Sequence, residues 1–363
     1  MGTDKKTQKA GKGSQQIQTG SITVVNNYGI TEERVRAIFA EQNALARKAY
    51  TEDAYRIADE RVNRFEERFM PRIVDVENAL PAFSDPAFQF LLRSAQKTAA
   101  ATEREVDYDL LSELLVCHIQ KGDDRKNRAS IKHAVEIVDD IDYSALCGLT
   151  SAHAFSSFSP VSGNCFEGIK VMNDLLSRVM YCALPIGIDW LDHLDMLGAV
   201  RLSSIGSMRK IEEYYAEILS GYVCIGIKKN SLEHTEALNL LDKAGLPPNI
   251  LSDNCLIDDY LRLEVINREA IDNLVLVTKP NRVPLSDEQK DSLNKIWGLY
   301  KQDAALSSLV KNKFIEIWDS FESLRVFRNW WEAIPSSFSI TQVGRVLAQT
   351  NAKRCDPTLP DLI

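Results

Sequence analysis

Histidine is scarce in this sequence, with five in 363 residues, and none of the seven cysteines forms a C-x-x-C pair. So few imidazoles argue against a histidine-rich metalloenzyme or proton-relay enzyme. The cysteines are odd in number and widely spaced, which argues against a secreted disulfide framework and a zinc ribbon. Most of them adjoin apolar residues, which predicts reduced and buried thiols in a cytoplasmic protein.

Several other features are missing. No apolar run approaches the roughly 20 residues that a membrane-spanning helix needs, so no membrane span is predicted. Neither G-x-x-x-x-G-K-[ST] nor G-x-G-x-x-G occurs, so we expect no cofactor. The net charge of -8 argues against a wholly basic nucleic-acid binder. Enzymatic activity is left open by these absences, although the balance favours a protein that is not an enzyme.

What remains is typical of a mainly α protein. Amphipathic stretches bounded by glycine and proline follow one another along the chain. We expect an N-terminal β segment and a long helix, or stalk, followed by a multi-helix body with a small strand pair near 199–205 and 222–227. One clear helix start in the body is Ser84-Asp85-Pro86, with a capping carboxylate and a proline at the first helical position. The predicted segments are 1–30 (assembly segment), 31–80 (long helix), 81–198 (helical domain) and 199–363 (helical domain with short strands, winged-helix-like).

Residues 1–30, called the leader below, differ from the rest in composition. Residues 13–30 carry no charge and are rich in β-branched and amide side chains, without proline. A single copy of this segment cannot satisfy its own backbone, whereas identical segments stacked across several chains pair every backbone group and form amide ladders. We therefore expect residues 16–28 to form intermolecular β pairs, and residues 1–13 to be a solvated basic tail. The predicted assembly residues of the leader are Ile17, Gln18, Ile22, Val24, Val25, Asn26, Asn27 and Tyr28.

A long helix is predicted after the leader. Thr31-Glu32-Glu33 is a good helix start, and no proline or glycine follows until Pro71, which should kink or end the helix. Apolar residues recur every eleven positions, which gives a nearly straight or slightly right-handed stripe. Such a stripe is typical of two structures, the seam of a self-associating stalk and the core face of a helix packed on its own domain. Length and dense alternating charge favour the first. The predicted seam residues are Val35, Phe39, Ala46, Tyr50, Ile57 and Phe65.

The densest polar cluster suggests an alternative function. Asp189, Asp192 and His193 share one face of a predicted helix, and Asp195 follows. Carboxylates and an imidazole on one face are typical of a metal-dependent hydrolase. No second metal-binding element lies nearby, so we favour a solvated helix face.

The carboxyl-terminal region suggests another alternative. Ile340–Leu347, followed by Lys353-Arg354, has the rhythm of the last helix of a winged-helix module. Basic residues are few there and acids surround them, so nucleic acid is not an expected partner.

A set of short motifs is distributed along most of the chain. The motifs are Gln8–Gly11, Ser14–Gly20, Tyr28–Thr31, Val35-Arg36, Asp189–Leu191, Arg201–Gly206 and Thr341–Gly344, with Ala348, Asn351 and Lys353-Arg354. They resemble those of a bacterial protein family without an assigned activity, one with a Gln/Gly-rich leader and a helical body. The resemblance implies bacterial origin, a helical fold and a place among accessory or phage-defence genes, and it brings no catalytic residues.

Together these features predict a self-assembling, non-enzymatic scaffold or sensor, either homo-oligomeric or filament-forming. The resemblance implies a setting in bacterial antiviral defence. The expected partners are further copies of the same chain and a protein partner or phage component.

Overall fold

The computed structural model describes residues 31–46, 51–74, 76, 79–121, 124–203, 206–278 and 281–362. The fold is mainly α, as predicted, with a few short strands. The predicted N-terminal β segment lies outside the described residues. None of the helices in the described ranges is long and apolar enough to span a membrane.

The helices are α1 (Glu32–Ala46), α2 (Glu52–Val74), α3 (Ala79–Ala82), α4 (Pro86–Ala101), α5 (Glu105–Lys121), α6 (Arg125–Glu136), α7 (Tyr143–Ser157), α8 (Cys165–Val179), α9 (Asp189–Met196), α10 (Ile211–Ile218), α11 (Leu232–Lys243), α12 (Asp287–Gly298), α13 (Ala304–Ser320), α14 (Glu322–Glu332) and α15 (Gln342–Cys355). The strands are β1 (Val200–Leu202), β2 (Ile227–Lys228), β3 (Leu251–Asp253), β4 (Tyr260–Leu263), β5 (Val275–Thr278), β6 (Asn281–Pro284) and β7 (Phe338–Ile340). Short 3-10 helices lie at Pro248–Ile250 and Glu269–Asn273.

The region predicted as one continuous helix forms two helices. Thr51 is not helical, and its carbonyl accepts the first hydrogen bond of α2, from the Tyr55 N–H at 2.8 Å. Thr51-Glu52-Asp53 repeats the start signal of α1, a threonine before two acids, which explains why a new helix begins there. Pro71 lies inside α2 and the helix continues past it to Val74.

The two helices form an antiparallel hairpin that packs on the body. The Arg36 guanidinium lies 3.5 Å from the Glu66 carboxylate, and the rings of Phe39 and Phe65 are 6.1 Å apart. On its other side α2 packs against α4 and α5. Arg72 there donates to the carboxylates of two α5 residues, at 2.7 and 2.8 Å. The hairpin is therefore part of the main core.

The last helix, α15, lies at the centre of the main core. It packs against α5, α6 and α7, and all residues from Val346 to Ala352 are buried. β7, just before α15, pairs with β1 from the middle of the chain, with Val200 opposite Ile340. The main core therefore unites residues from both halves of the chain.

A second, smaller core lies within residues 227–300. It contains α11, α12 and the antiparallel sheet β2-β4-β3, and its buried side chains include Leu241, Leu263 and Leu293. The predicted strand near 199–205 is present as β1, whereas only the end of the 222–227 candidate is extended, as β2. The predicted four-segment division of the chain stays a prediction.

Candidate assembly surface

The leader joins the body at the start of α1, where the sequence predicted a helix start. The Thr31 hydroxyl accepts a hydrogen bond from the Arg34 N–H at 3.3 Å, and the Thr31 carbonyl accepts one from the Val35 N–H at 3.0 Å. The acidic pair in the first turn complements the positive end of the helix dipole. The direction of α1 is thus fixed from its first turn.

An apolar groove opens beside this first turn and has a volume of about 290 Å³. We call it the root groove. It forms where α2 ends and α3 begins, with the first turn of α1 closing the third side. Among the described residues that line the groove, Glu32 is the one that carries a charge. The groove is lined by Glu32, Met70, Ile73, Val74, Val76, Ala79, Leu80 and Pro81.

The floor of the root groove is buried and its rim is open. Met70, Ile73 and Ala79 are buried in the main core, whereas the Val74 side chain is 72% exposed and Leu80 is 36% exposed. Isolated exposed apolar residues are ordinary, whereas apolar residues gathered around a concave surface make it a candidate interaction site. The root groove lies beside Thr31 and Glu32, where the described residues begin.

Charged groups flank this surface along the α1–α2 hairpin. Arg36 bonds Glu32 at 2.9 Å and also approaches Glu66. Burial raises the pKa of Glu66, and the charge of Arg36 partly offsets that effect. The Arg36–Glu66 ion pair therefore links the two helices on the outer side of the hairpin, and Phe39 contacts Phe65 on the inner side.

The structure places the predicted seam residues in different environments. Val35, Phe39 and Phe65 are buried in the main core of the same chain. Their burial matches the second structure that the eleven-residue stripe is typical of, the core face of a helix packed on its own domain. Ile57 is 44% exposed, and Ala46 is the last residue of α1. Tyr50 and the predicted assembly residues from Ile17 to Tyr28 lie outside the described residues. The role of all these residues in assembly stays a prediction.

Sequence reasoning did not single out the root groove. The sequence feature that could have indicated it is the set of apolar residues between Pro71 and Pro81. The concave shape depends on Glu32, which is far from those residues in the chain and meets them only through the hairpin. A periodicity argument within one helix cannot find such a surface.

The residues of the hydrolase alternative lie on α9 and its flanks. The His193 Nε2 accepts a hydrogen bond from the Asp142 N–H at 3.1 Å, and Asp142 itself caps α7. Asp195 lies 3.9 Å from Arg201. Trp190, Leu191 and Leu194 are buried, which makes the polar residues the outer face of the helix. Across the described ranges, no group of three or more His, Cys, Asp or Glu side chains is arranged to hold a metal ion.

The helix of the winged-helix alternative is α15. Seven consecutive residues, Val346 to Ala352, are buried against three other helices. A recognition helix must offer a free face to the major groove of DNA. The basic residues of α15 are Arg345, which is exposed, and Lys353 and Arg354, which are partly buried.

The fold and the root groove together define a helical protein whose described residues begin beside an apolar groove. The model of an uncharacterised protein family matches residues 29–360, and the chain belongs to that family. No curated protein and no solved structure matches the chain. The family match covers the helical body and begins just before α1, so it does not extend over residues 1–28.

Proposed function

We propose that this protein is a self-assembling, non-enzymatic scaffold or sensor whose copies are held together by their leaders. Residues 16–28 of identical chains pair as β segments, and the end of each leader lies in the root groove of its own chain. The observation that carries the proposal is the position of the root groove, which opens at Glu32, directly after the leader.

The occupant of the root groove follows from chain connectivity. Consecutive Cα atoms are about 3.8 Å apart, so Ile30 lies within roughly 8 Å of Glu32, a residue of the groove lining. Ile30 is the apolar residue closest to the body along the leader. Its connection to α1 gives it a high effective concentration at the groove, which a separate molecule lacks.

Docking of this short segment supports assembly because it fixes the direction of the residues before it. A leader held at its base presents residues 16–28 to other copies in one orientation. Uncharged segments can then stack with their amide side chains in ladders, and charge repulsion does not oppose the pairing. A closed set of such strands leaves no free edge, whereas an open set grows into a filament.

The cellular setting of the proposal comes from the sequence resemblance to a bacterial family. In antiviral defence, assembly would be the active state, and the helical body would contact a protein partner or a phage component.

The substitution Val24→Asp tests this proposal in the full-length protein. A carboxylate at this position puts like charges about 4.8 Å apart in a stack of identical strands, which opposes pairing. We expect the mass measured by light scattering to fall towards that of one chain, 40.8 kDa. Thr7→Asp, which adds the same charge in the basic tail, should leave the mass unchanged. A Val24→Asp protein with the mass of the unmodified assembly contradicts the proposal.

A further inference from the structure

A buried histidine near the end of α7 has both of its ring nitrogens in hydrogen bonds with other side chains. His153 is 2% exposed. Its Nε2 lies 3.0 Å from the Gln349 Oε1, and its Nδ1 lies 3.1 Å from the hydroxyl oxygen of Ser157. Ser157 is the last residue of α7 and is exposed. An accessible hydroxyl is therefore hydrogen-bonded to a buried imidazole.

The contacts of Gln349 determine which nitrogen of His153 carries the proton. The Gln349 amide nitrogen donates to the carbonyl of Pro360 at 2.8 Å, so its Oε1 is the atom that faces the imidazole. The opposite orientation of the amide would place its oxygen against the Pro360 carbonyl oxygen. Because an amide oxygen only accepts, Nε2 of the neutral ring must be the N–H that donates. Nδ1 then has no proton and accepts the hydrogen bond from the Ser157 O–H.

This arrangement has the three parts of an activated nucleophile, which are a hydroxyl, a base that accepts its proton and a third group that orients the base. Burial lowers the pKa of His153 below its ordinary value of 6.5, so the ring is in its neutral, basic form at pH 7. The hydrogen bond with Gln349 partly offsets this effect, and the charge of Arg345 on α15 adds to it. Ser157 ends α7, and the negative end of the helix dipole favours the imidazolium that forms when the proton arrives.

The neighbouring serine provides an internal comparison. Ser156 is also exposed, but its hydroxyl donates back to the carbonyls of Ala152 at 2.8 Å and His153 at 3.2 Å. Such bonding to the preceding turn is the ordinary use of a serine hydroxyl inside a helix. Within the described ranges, the hydroxyl of Ser156 has these backbone partners and no side-chain base. Two adjacent, exposed serines therefore differ in whether a base receives the hydroxyl proton.

We propose that Ser157 is a site of covalent acyl modification, with His153 as the general base and Gln349 as the residue that positions the imidazole ring. The acyl donor is an activated ester. The proposal requires a single acyl transfer and no turnover, so it is compatible with a non-enzymatic scaffold or sensor. It is independent of the assembly proposal, since none of the three residues lies in the leader or lines the root groove.

The transfer balances without an oxidant or a reductant. The Ser157 Oγ attacks the carbonyl carbon of the ester while its proton passes to the His153 Nδ1. The bond between the carbonyl carbon and the leaving oxygen then breaks, and the leaving oxygen takes the proton from Nδ1. The products are an acyl ester on Ser157, a neutral imidazole and a free alcohol.

Acetylation by p-nitrophenyl acetate tests the proposal on the unmodified, full-length protein. Peptide mapping by tandem mass spectrometry distinguishes an acetyl group on Ser157 from one on Ser156. At pH 7 we expect Ser157 to be acetylated at least about tenfold faster than Ser156, since general-base assistance contributes roughly 10²–10⁴-fold. Equal rates at the two serines overturn the proposal.

The pH dependence of the two rates gives a second readout. The rate at Ser157 should be low where His153 is protonated and should level off by about pH 7, because the pKa of the ring is lowered from its ordinary value. The rate at Ser156 should still be rising at pH 9, because without a base the rare alkoxide is the reacting form. A parallel rise at both serines contradicts a role for His153 as the base.

Two substitutions of Gln349 test its positioning role. Gln349→Leu removes the acceptor of the Nε2 proton, and we expect the acetylation rate of Ser157 to fall at least about tenfold. Gln349→Glu keeps an oxygen facing Nε2 and should retain the plateau rate but reach it at higher pH, since a carboxylate stabilises the imidazolium. An unchanged rate in Gln349→Leu, or an equal loss in both variants, would contradict the positioning role. The comparison of Ser156 with Ser157 uses the unmodified protein and therefore holds even if a variant fails to fold.

Discussion

The two ends of the chain meet the body in opposite ways. At the carboxyl-terminal end, α15 is surrounded by three helices, and Asn351 donates to the Thr150 hydroxyl at 2.8 Å inside the core. At the amino-terminal end, α1 begins at the root groove, whose rim residue Val74 is 72% exposed. The sequence suggested a function for each end, a winged-helix module at the carboxyl-terminal end and self-assembly at the amino-terminal end. The contrast teaches that the carboxyl-terminal helix serves the fold, whereas the described amino-terminal end lies beside a groove with an exposed apolar rim.

The largest expected effect concerns the carboxyl-terminal end. Leu347 is fully buried in α15, so Leu347→Ala removes apolar contacts and leaves a cavity at the centre of the main core. We expect the free energy of unfolding to fall by about 2–5 kcal/mol, measured by urea denaturation of the protein. Arg345→Ala, at an exposed position of the same helix, should change it by less than about 0.5 kcal/mol. Equal effects of the two substitutions would contradict the central position of α15 in the main core.

A smaller effect is expected at the amino-terminal end. Val74→Asp puts a charge on the rim of the root groove without disturbing its buried floor. Stability should change by less than about 1 kcal/mol, because the side chain is already exposed. Assembly should weaken, since in the proposed arrangement the base of the leader would lose an apolar contact. We expect the protein concentration at which the assembly dissociates to rise about tenfold, or by about 1.4 kcal/mol, in light scattering over a dilution series.

Val161→Asp is the matched control for this substitution. Val161 is 97% exposed and lies before α8, outside the lining of the root groove. Val161→Asp should leave the protein concentration at which the assembly dissociates unchanged. If both substitutions have the same effect, surface charge in general governs association, and the root groove does not.

The sequence was sufficient for those parts of the fold that depend on local signals. The mainly α class, the start of α1 at Thr31 and the start of α4 after Asp85, whose carboxylate caps the helix, were all predicted correctly. Each depends on capping residues and composition within a few positions. The interruption at Thr51 was missed because neither proline nor glycine marks it.

Other features depend on contacts between distant residues, which a single sequence does not reveal. The burial of Phe39 and Phe65 requires the hairpin to fold onto the body, and the same apolar stripe would also suit a stalk. The root groove joins Glu32 to the α2–α3 junction. Arg262 on β4 donates a hydrogen bond to the carbonyl of Gly163, which lies just before α8. The charge pattern of the sequence does not encode that contact.

The central claim is that the leader holds copies of this chain together. Its most direct test is the mass in solution, by multi-angle light scattering, of the full-length protein and of a variant lacking residues 1–30, at equal concentration. We expect the full-length protein to have a multiple of 40.8 kDa and the shortened protein to have the mass of a single chain. The same number of chains in both proteins would contradict the claim.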